Sequence, residues 1–289
     1  MNKTEISYAF GDRGQMIMQR RIILLFLICV VTGSLCDAGG LTDTSASRHV
    51  KLRSVDIKDV RWTEGFWKDR FDWCRKVVIP NMQRLLEDPE ISHAYDNFLI
   101  ASGEKEGRHR GPKWHDGDFY KWLEAASFVY GVTKDEDLDK RMDQIIEVIG
   151  KAQRQDGYIH TPVIISQRQQ PSGEGEFESR LDFETYNMGH LMTCACIHYR
   201  ATGKTSLLDI ARRATDFLYK TYKDSPQSLA NNAICPSHYM GVIEMYRTVG
   251  DPSYLELARG LVDIRDMVED GTDHNQDRIP FREQTEAVG

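Results

Sequence analysis

The stretch Thr185–Tyr222, TYNMGHLMTCACIHYRATGKTSLLDIARRATDFLYKTY, decides the fold class. Its first half is apolar on most sides, which is typical of a helix buried all around. Its second half carries one apolar stripe at spacings of three and four residues, formed by Leu207, Ala211, Ala214, Leu218 and Tyr222. Gly203 lies between the halves, where a helix end favours a left-handed residue, and Thr205 or Ser206 can cap the next helix. The stretch therefore predicts two helices joined by a tight turn.

The same pattern recurs on both sides of this stretch. Tyr130–Asp135 and Tyr246–Asp251 each place a glycine-containing turn between two helical segments. The segment after the first of these turns has one apolar face, formed by Leu138, Met142, Ile145, Ile149 and Ala152. Three α-hairpins in series, with a weak internal repeat, are therefore expected.

The two helices of each hairpin differ in character. The first helices, which carry Trp122, His190 and Met240, are expected to be shorter and more apolar than the second ones. Long loops, such as 155–183, are expected between hairpins. This asymmetry favours an all-α toroid of inner and outer helices over a regular solenoid. A complete (α/α)6 ring would need roughly twice the helical sequence, so about half of such a barrel is expected here.

The N-terminal region predicts export. The chain has 289 residues, and QRRIILLFLICVVTGSLCDAGG (19–40) places Arg20 and Arg21 before an apolar run, Ile22–Val31. This is typical of a secretory signal peptide, and the run is too short to span a membrane. We expect residues 1–38 to be the signal peptide, 39–54 a linker, and the protein to be secreted or periplasmic without a membrane partner. The net charge of −7 without a clustered basic face argues against nucleic-acid binding.

The cysteines give little sign of a metal site. Outside the signal peptide they are Cys74, Cys194, Cys196 and Cys235. Cys194 and Cys196 are two residues apart on a predicted helix, so their side chains point to different sides. Buried thiols are the favoured interpretation, and no metal ligand is assigned. The sequence also lacks a P-loop, a dinucleotide-binding glycine motif, a nucleophile elbow and HExxH.

Polar residues at the start of the first predicted inner helix indicate a sugar site. In KWHDGDFYKWLEAA (113–126), Asp116 and Asp118 lie directly before the apolar helical segment, next to Trp114. One acid would suffice to cap the helix. An aromatic ring beside two carboxylates is also typical of a sugar subsite, in which the ring stacks on the sugar and the acids bind its hydroxyl groups. Both interpretations stay open.

The next two inner helices begin with similar polar groups. Glu184 and His190 enter the most buried helix, and His238 opens the following inner helix at an equivalent position of the repeat. Equivalent positions are expected to face one cavity. Tyr158, in AQRQDGYIHT (152–161), is expected to point inward as well. The alternatives are that Glu184 is a capping acid, that His190 is a core histidine, and that Tyr158 is a packed aromatic side chain.

Five blocks of sequence carry a family resemblance. They are GDFYKWLEAASFVYG, AQRQDGYIHT, TYNMGHLMTCACIHYRATGKTSLLDIARRATDF, SHYMGVIEMYRTVGDPSYLELA and NQDRIPFREQTEAVG. In this order they resemble glycoside hydrolase family 127, the β-L-arabinofuranosidases, over 55–289. The resemblance implies an (α/α)6 barrel whose N-terminal part is 55–289, and a secreted enzyme that releases arabinofuranose from plant-type glycans with retention.

The resemblance also implies that the catalytic groups and the substrate-contact residues lie in different parts of the family's domain. It implies a zinc ion held by three cysteines and a glutamate, with a cysteine thiolate as nucleophile and a separate glutamate as acid/base. All are expected downstream of Gly289, so no catalytic residue and no cofactor are assigned to this chain. His190, His238, Asp116 and Asp118 match substrate-contact positions, and Gln284 and Glu286 are expected at the cavity rim. Many members have a histidine in place of Phe183, which implies a difference in the sugar pocket.

Two alternatives remain for the function. A truncated relative could bind an oligo- or polysaccharide without cleaving it. A different (α/α)6 sugar enzyme, an epimerase or an uronyl hydrolase, could use His190 and His238 as acid/base groups, since histidine titrates in the range that proton abstraction requires. The ordered match of five blocks argues against the second alternative.

Overall fold

The computed structural model describes residues 48–52, 54–170, 172–233 and 235–267. Regular structure in this part of the chain is entirely helical, as the sequence predicts. Its α-helices are α1 (Phe66–Trp73), α2 (Ile79–Glu87), α3 (Ala94–Ser102), α4 (His115–Thr133), α5 (Glu136–Ala152), α6 (Thr161–Gln169), α7 (Glu184–Thr202), α8 (Ser206–Asp224), α9 (Pro226–Asn232), α10 (Ser237–Val249) and α11 (Pro252–Asp263). A wider helical turn, Cys74–Val78, joins α1 to α2.

The three predicted hairpins are present. They are α4–α5, α7–α8 and α10–α11, and each turns through one residue with a positive φ. Gly203 (φ 77°) and Gly250 (φ 79°) end α7 and α10 as predicted, whereas Lys134 (φ 55°) takes this place after α4. The left-handed conformation places the backbone N–H of each residue on a carbonyl oxygen of the preceding turn, which terminates the helix.

The hairpins form two layers. The first helices, α4, α7 and α10, pack side by side with α7 in the middle, while α5, α8 and α11 flank them as an outer layer. α7 is buried on most sides. α8 buries four residues of the predicted stripe, and also Leu208, Ile210 and Thr215, whereas Tyr222 at the end of the stripe is only partly buried. The hairpins are therefore of the predicted inner-and-outer type.

Two glycines allow α7 and α10 to approach closely. A Cβ atom on Gly241 would lie 2.5 Å from the carbonyl oxygen of Gly189, and a Cβ on Gly189 would collide with the backbone of Ser237. Backbone atoms at such positions cannot move aside as a flexible side chain can. The close approach brings the N-terminal turns of α7 and α10 together, and the candidate site lies there.

Two expectations about the elements were wrong. The inner helices are not shorter, since α4 and α7 have 19 residues each and α5 and α8 have 17 and 19. The predicted loop 155–183 contains α6, whose Pro162 occupies the first turn and whose Val163, Ile164 and Ile165 are buried. Proline suits the first turn because its missing N–H would have no helical partner there.

Between residues 48 and 267, no helix in the described ranges is both long enough and apolar enough to cross a membrane.

Candidate functional site

A groove lies at the N-terminal ends of α7 and α10 and beside the middle of α4. Its volume is about 310 Å³. It is lined by Glu124, Tyr186, His190, Thr193, Cys235, Pro236, Ser237 and Met240. Three elements that are distant in sequence thus place carboxylate, imidazole, hydroxyl and aromatic groups around one opening, which is the mixture that binds a small polar ligand.

His190 enters the groove from α7, one turn after Tyr186. The two rings pack edge to face with centroids 4.6 Å apart. Burial, assisted by the nearby Lys121, lowers the pKa of His190 to about 4, although Asp118 opposes this effect. At neutral pH the imidazole is therefore uncharged, and it can both donate and accept a hydrogen bond.

Glu124 lines the groove from α4 and was not predicted as a site residue. Burial raises the pKa of this carboxyl group, a hydrogen bond with the Thr193 hydroxyl lowers it, and the charge of Glu244 raises it further. The spacing of polar residues along α4 and α7 could have identified Glu124 from the sequence. Lys121 and Glu124 on α4, and Tyr186, His190 and Thr193 on α7, recur at spacings of three and four residues, which places polar groups on one face of each otherwise apolar helix.

Trp114 lies outside the groove lining but is connected to it by aromatic contacts. Its side chain is 42% exposed. Its ring meets Phe183 edge to face at 5.0 Å, and Phe183 meets Tyr186 edge to face at 5.7 Å. The predicted sugar-stacking residue is therefore near the groove, in a row of three aromatic rings.

The predicted acidic pair separates into two environments. Asp116 is fully buried and accepts hydrogen bonds from the backbone N–H (2.7 Å) and the hydroxyl (2.6 Å) of Thr161. Burial raises its pKa to about 6, although both hydrogen bonds to Thr161 lower it. Asp118 is partly exposed and pairs with Lys121 at 3.2 Å, beside the groove. Neither side chain caps α4, and only Asp118 is placed where a ligand could reach it.

Glu184 and Tyr158 are brought together, but away from the groove. Glu184 is fully buried and accepts hydrogen bonds from the Tyr158 hydroxyl (2.5 Å), the Phe177 N–H (2.8 Å) and the Asn232 side-chain amide (3.0 Å). Burial raises its pKa to about 7 despite the first two of these donors. The expectation that these two side chains line the cavity is not met, because both are enclosed by the loops that they hold together.

His238 also differs from the expectation of an equivalent pair of histidines. It is only 2% exposed, and its Nδ1 donates a hydrogen bond of 2.8 Å to the carbonyl oxygen of Cys235. Burial lowers its pKa to about 4, which the hydrogen bond partly offsets. Its neighbours Ser237 and Met240 line the groove instead. His238 thus supports the turn that precedes α10, whereas His190 faces the opening.

A second cavity, of about 390 Å³, lies at the opposite end of α4, between α2 and the α4–α5 turn. Its charged lining includes Arg75 and Arg141, which form ion pairs with Asp72 and Glu87. None of the predicted site residues lines it. The smaller groove is the better candidate because its polar groups converge from three elements.

The comparison with known proteins identifies the family. The family model of the β-L-arabinofuranosidase GH127 catalytic domain matches residues 59–289. The chain belongs to this family. It is 28% identical over 229 residues to the non-reducing end β-L-arabinofuranosidase of Bifidobacterium longum subsp. longum, which covers 72% of this chain and 34% of that relative.

Solved structures agree with this assignment. A GH127 β-L-arabinofuranosidase from Geobacillus stearothermophilus T6 is 31% identical, with a TM-score of 0.63 over 80% of this chain and 35% of that one. A structure described as a glycoside hydrolase is 47% identical, with a TM-score of 0.58 over 84% of this chain and 32% of that one. The chain therefore spans about a third of the length of these GH127 and related proteins.

The cysteines described here do not fit the zinc site that the GH127 resemblance implies. In the described part of the chain, no group of three or more histidine, cysteine, aspartate or glutamate side chains is arranged to hold a metal ion. Burial raises the pKa of Cys196 to about 11 and that of Cys194 well above its usual value. Burial thus disfavours the thiolate form that a metal ligand or nucleophile requires. No catalytic step is assigned to them.

Some predictions lie outside the described residues. The signal peptide 1–38, most of the linker 39–54, and the rim positions Gln284 and Glu286 belong to this group. They stay predictions.

Proposed function

We propose that this chain carries the sugar-recognition part of a secreted β-L-arabinofuranosidase-type glycoside hydrolase. The observation that carries the proposal is the match of residues 59–289 to the GH127 catalytic domain, because this segment builds the groove around His190. The substrate is a plant-type glycan with a terminal β-L-arabinofuranosyl group, and the groove receives that terminal sugar.

The groove suits a small ring bearing several hydroxyl groups. The uncharged His190 imidazole can accept a hydrogen bond at one nitrogen and donate one at the other. Glu124, whose pKa is raised, adds a carboxyl group to the lining of the groove, and Thr193 adds a hydroxyl group. A buried site built to bind hydroxyl groups rejects ligands that lack them, because its polar atoms then lose their partners.

The proposal assigns recognition, and not bond cleavage, to residues between 48 and 267. Hydrolysis with retention, and the zinc-associated cysteine and acid/base glutamate that the resemblance implies, are proposed for the family domain outside the described residues. Secretion is proposed from the signal-type sequence at 1–38. Amino-terminal sequencing of the exported protein tests it, and a mature chain that still begins upstream of Ile22 contradicts it.

The test of the activity is a hydrolysis assay monitored by proton NMR. The 289-residue protein is incubated with a β-L-arabinofuranosyl disaccharide, its α-anomer and an unsaturated uronide, with and without a zinc chelator. An arabinofuranosidase that retains configuration is supported if only the β-linked substrate is hydrolysed and the β-anomer of L-arabinose is the first product detected. Saturable binding of the β-linked substrate without release is the result expected of a chain that supplies recognition and not bond cleavage. Turnover of the uronide overturns the proposal in favour of a different sugar enzyme.

A further inference from the structure

Three aromatic side chains form a continuous row from the protein surface to the groove. The row, which we call the aromatic shelf, consists of Trp114, Phe183 and Tyr186. Tyr186 lines the groove, and Trp114 at the far end keeps 42% of its surface exposed. Adjacent rings meet edge to face, at 5.0 Å and 5.7 Å between centroids. This geometry holds each ring in place and leaves ring surface available to a ligand.

The backbone fixes the position of the shelf. Trp114 is the residue immediately before α4, and its carbonyl oxygen accepts the N–H of Asp118. Phe183 is the residue immediately before α7, and its carbonyl oxygen accepts the N–H of Asn187 at 2.9 Å. Phe183 adopts φ 60°, which is unfavourable for a bulky side chain and is retained only where the surroundings enforce it. The shelf is thus built on two helix starts, and one of them is strained.

Polar groups lie at the inner end of the shelf. The Lys121 amine donates a hydrogen bond to the Tyr186 hydroxyl and lies 4.8 Å from the centroid of that ring. Lys121 also pairs with Asp118. A ligand on the shelf would therefore meet apolar ring surface and charged hydrogen-bonding groups together. A sugar ring, which has apolar C–H faces and hydroxyl groups at its edge, presents the complementary combination.

We propose that the aromatic shelf is a second subsite, in which the sugar that carries the terminal arabinofuranose stacks its apolar face on Trp114. This proposal rests on the proposed function, because it takes the groove at His190 as the site of the terminal sugar. The continuity of the shelf with that groove supports it. It assigns Trp114 a role in substrate length and linkage, separate from recognition of the terminal ring.

The test compares ligands with one and two rings by isothermal titration calorimetry on the 289-residue protein. The ligands are methyl β-L-arabinofuranoside and the methyl glycoside of a β-L-arabinofuranosyl disaccharide. The variants are Trp114→Ala, Trp114→Phe and, as a matched exposed tryptophan outside the groove, Trp73→Ala. The wild type is expected to bind the disaccharide more tightly. Trp114→Ala should lower the affinity for the disaccharide about tenfold, which corresponds to about 1.4 kcal/mol of binding free energy. Its affinity for the monosaccharide should stay within about twofold of the wild-type value.

The outcomes separate the two proposals. Trp114→Phe should regain part of the affinity for the disaccharide, and Trp73→Ala should bind both ligands as the wild type does. If Trp114→Ala binds both ligands equally more weakly, or binds both as tightly as the wild type, the second subsite is overturned while the proposed function stands. The same holds if the wild type gains no affinity from the second ring. If the folded wild type binds neither ligand, the proposed function fails and the subsite fails with it. Thermal melts of each variant establish that it is folded.

Discussion

The Tyr158 hydroxyl donates a hydrogen bond of 2.5 Å to Oε1 of Glu184, the first residue of α7. Glu184 also accepts the backbone N–H of Phe177 and the side-chain amide of Asn232. One buried carboxyl group thus joins the segment after α5, the loop before α7 and the end of α9. Because α7 supplies Tyr186, His190 and Thr193 to the groove, this junction fixes the element on which the site depends.

Removing this carboxyl group should destabilise the protein strongly. Glu184→Ala leaves three buried donors without their acceptor, and each unsatisfied group costs about 1–3 kcal/mol. We expect a loss of about 3 kcal/mol or more in the free energy of unfolding, measured by urea denaturation. Glu178→Ala is the matched control, because Glu178 lies in the same loop and is exposed. A loss below about 1 kcal/mol in Glu184→Ala would show that the junction does not hold α7.

The two aspartates at the start of α4 should behave differently when replaced. Asp116→Ala removes the acceptor of both the N–H and the hydroxyl of buried Thr161, so we expect a loss of about 2–3 kcal/mol. Asp118→Ala removes a partly exposed ion pair with Lys121, which is worth less than about 1 kcal/mol. Chemical denaturation of both variants measures the difference. Similar losses in the two variants would contradict the assignment of Asp116 to the structural core.

The buried His238 should make the protein sensitive to acid. Its pKa is about 4 in the folded protein against 6.5 for the unperturbed side chain, so between these values the unfolded chain binds a proton that the folded one does not. Stability is therefore lost as the pH falls below 6.5, by about 2 kcal/mol from this residue at pH 5.

His238→Asn keeps a donor near the Cys235 carbonyl and removes the titration. We expect its stability to fall less than that of the wild type between pH 7 and pH 5. Asp116 and Glu184, whose raised pKa values produce the opposite slope, are common to both proteins and cancel in the comparison. Parallel pH profiles for the two proteins would contradict the burial of an uncharged His238.

The contact between α7 and α10 should not tolerate a methyl group. In Gly241→Ala the new Cβ would lie 2.5 Å from the carbonyl oxygen of Gly189, so the helices must separate, and we expect a loss of about 2 kcal/mol or more. Gly150→Ala is the control, because its Cβ would meet only the end of the Ile210 side chain at 3.2 Å. Because alanine is a better helix former than glycine, the free energy of unfolding of Gly150→Ala should stay within about 1 kcal/mol of the wild-type value. A Gly241→Ala protein as stable as the wild type would refute the close packing.

The hairpins were predictable from local signals, and the connection between two of them was not. The apolar period of three to four residues and the glycines at 203 and 250 identify helices and their ends without any tertiary information. α6 carries only a short apolar run of β-branched residues after Pro162, which also suits a strand or a buried loop. Its helical state depends on burial against its neighbours, which a local pattern does not encode.

The site was predictable in its location but not in every role. Trp114, Asp118 and His190 lie at or near the groove because they occupy the starts or inner faces of helices that pack together. Asp116, Glu184 and His238 were chosen by the same criterion, and Tyr158 was expected to point inward after a helix end. All four are buried in structural contacts instead. Two of their partners are distant in sequence, since Thr161 lies 45 residues after Asp116 and Asn232 lies 48 residues after Glu184. The other two, Phe177 and the Cys235 carbonyl, lie seven and three residues away. A carboxylate that caps, packs or binds a sugar has the same appearance in sequence.

The groove around His190 is proposed to bind the terminal sugar. The most direct test is the dissociation constant of methyl β-L-arabinofuranoside for the wild type, His190→Ala and the distant control Lys151→Ala, with a thermal melt of each protein. Saturable binding by the wild type and the control, weakened at least tenfold in a folded His190→Ala, is the predicted result. No saturable binding by the folded wild type, or equal binding by His190→Ala, would contradict the claim.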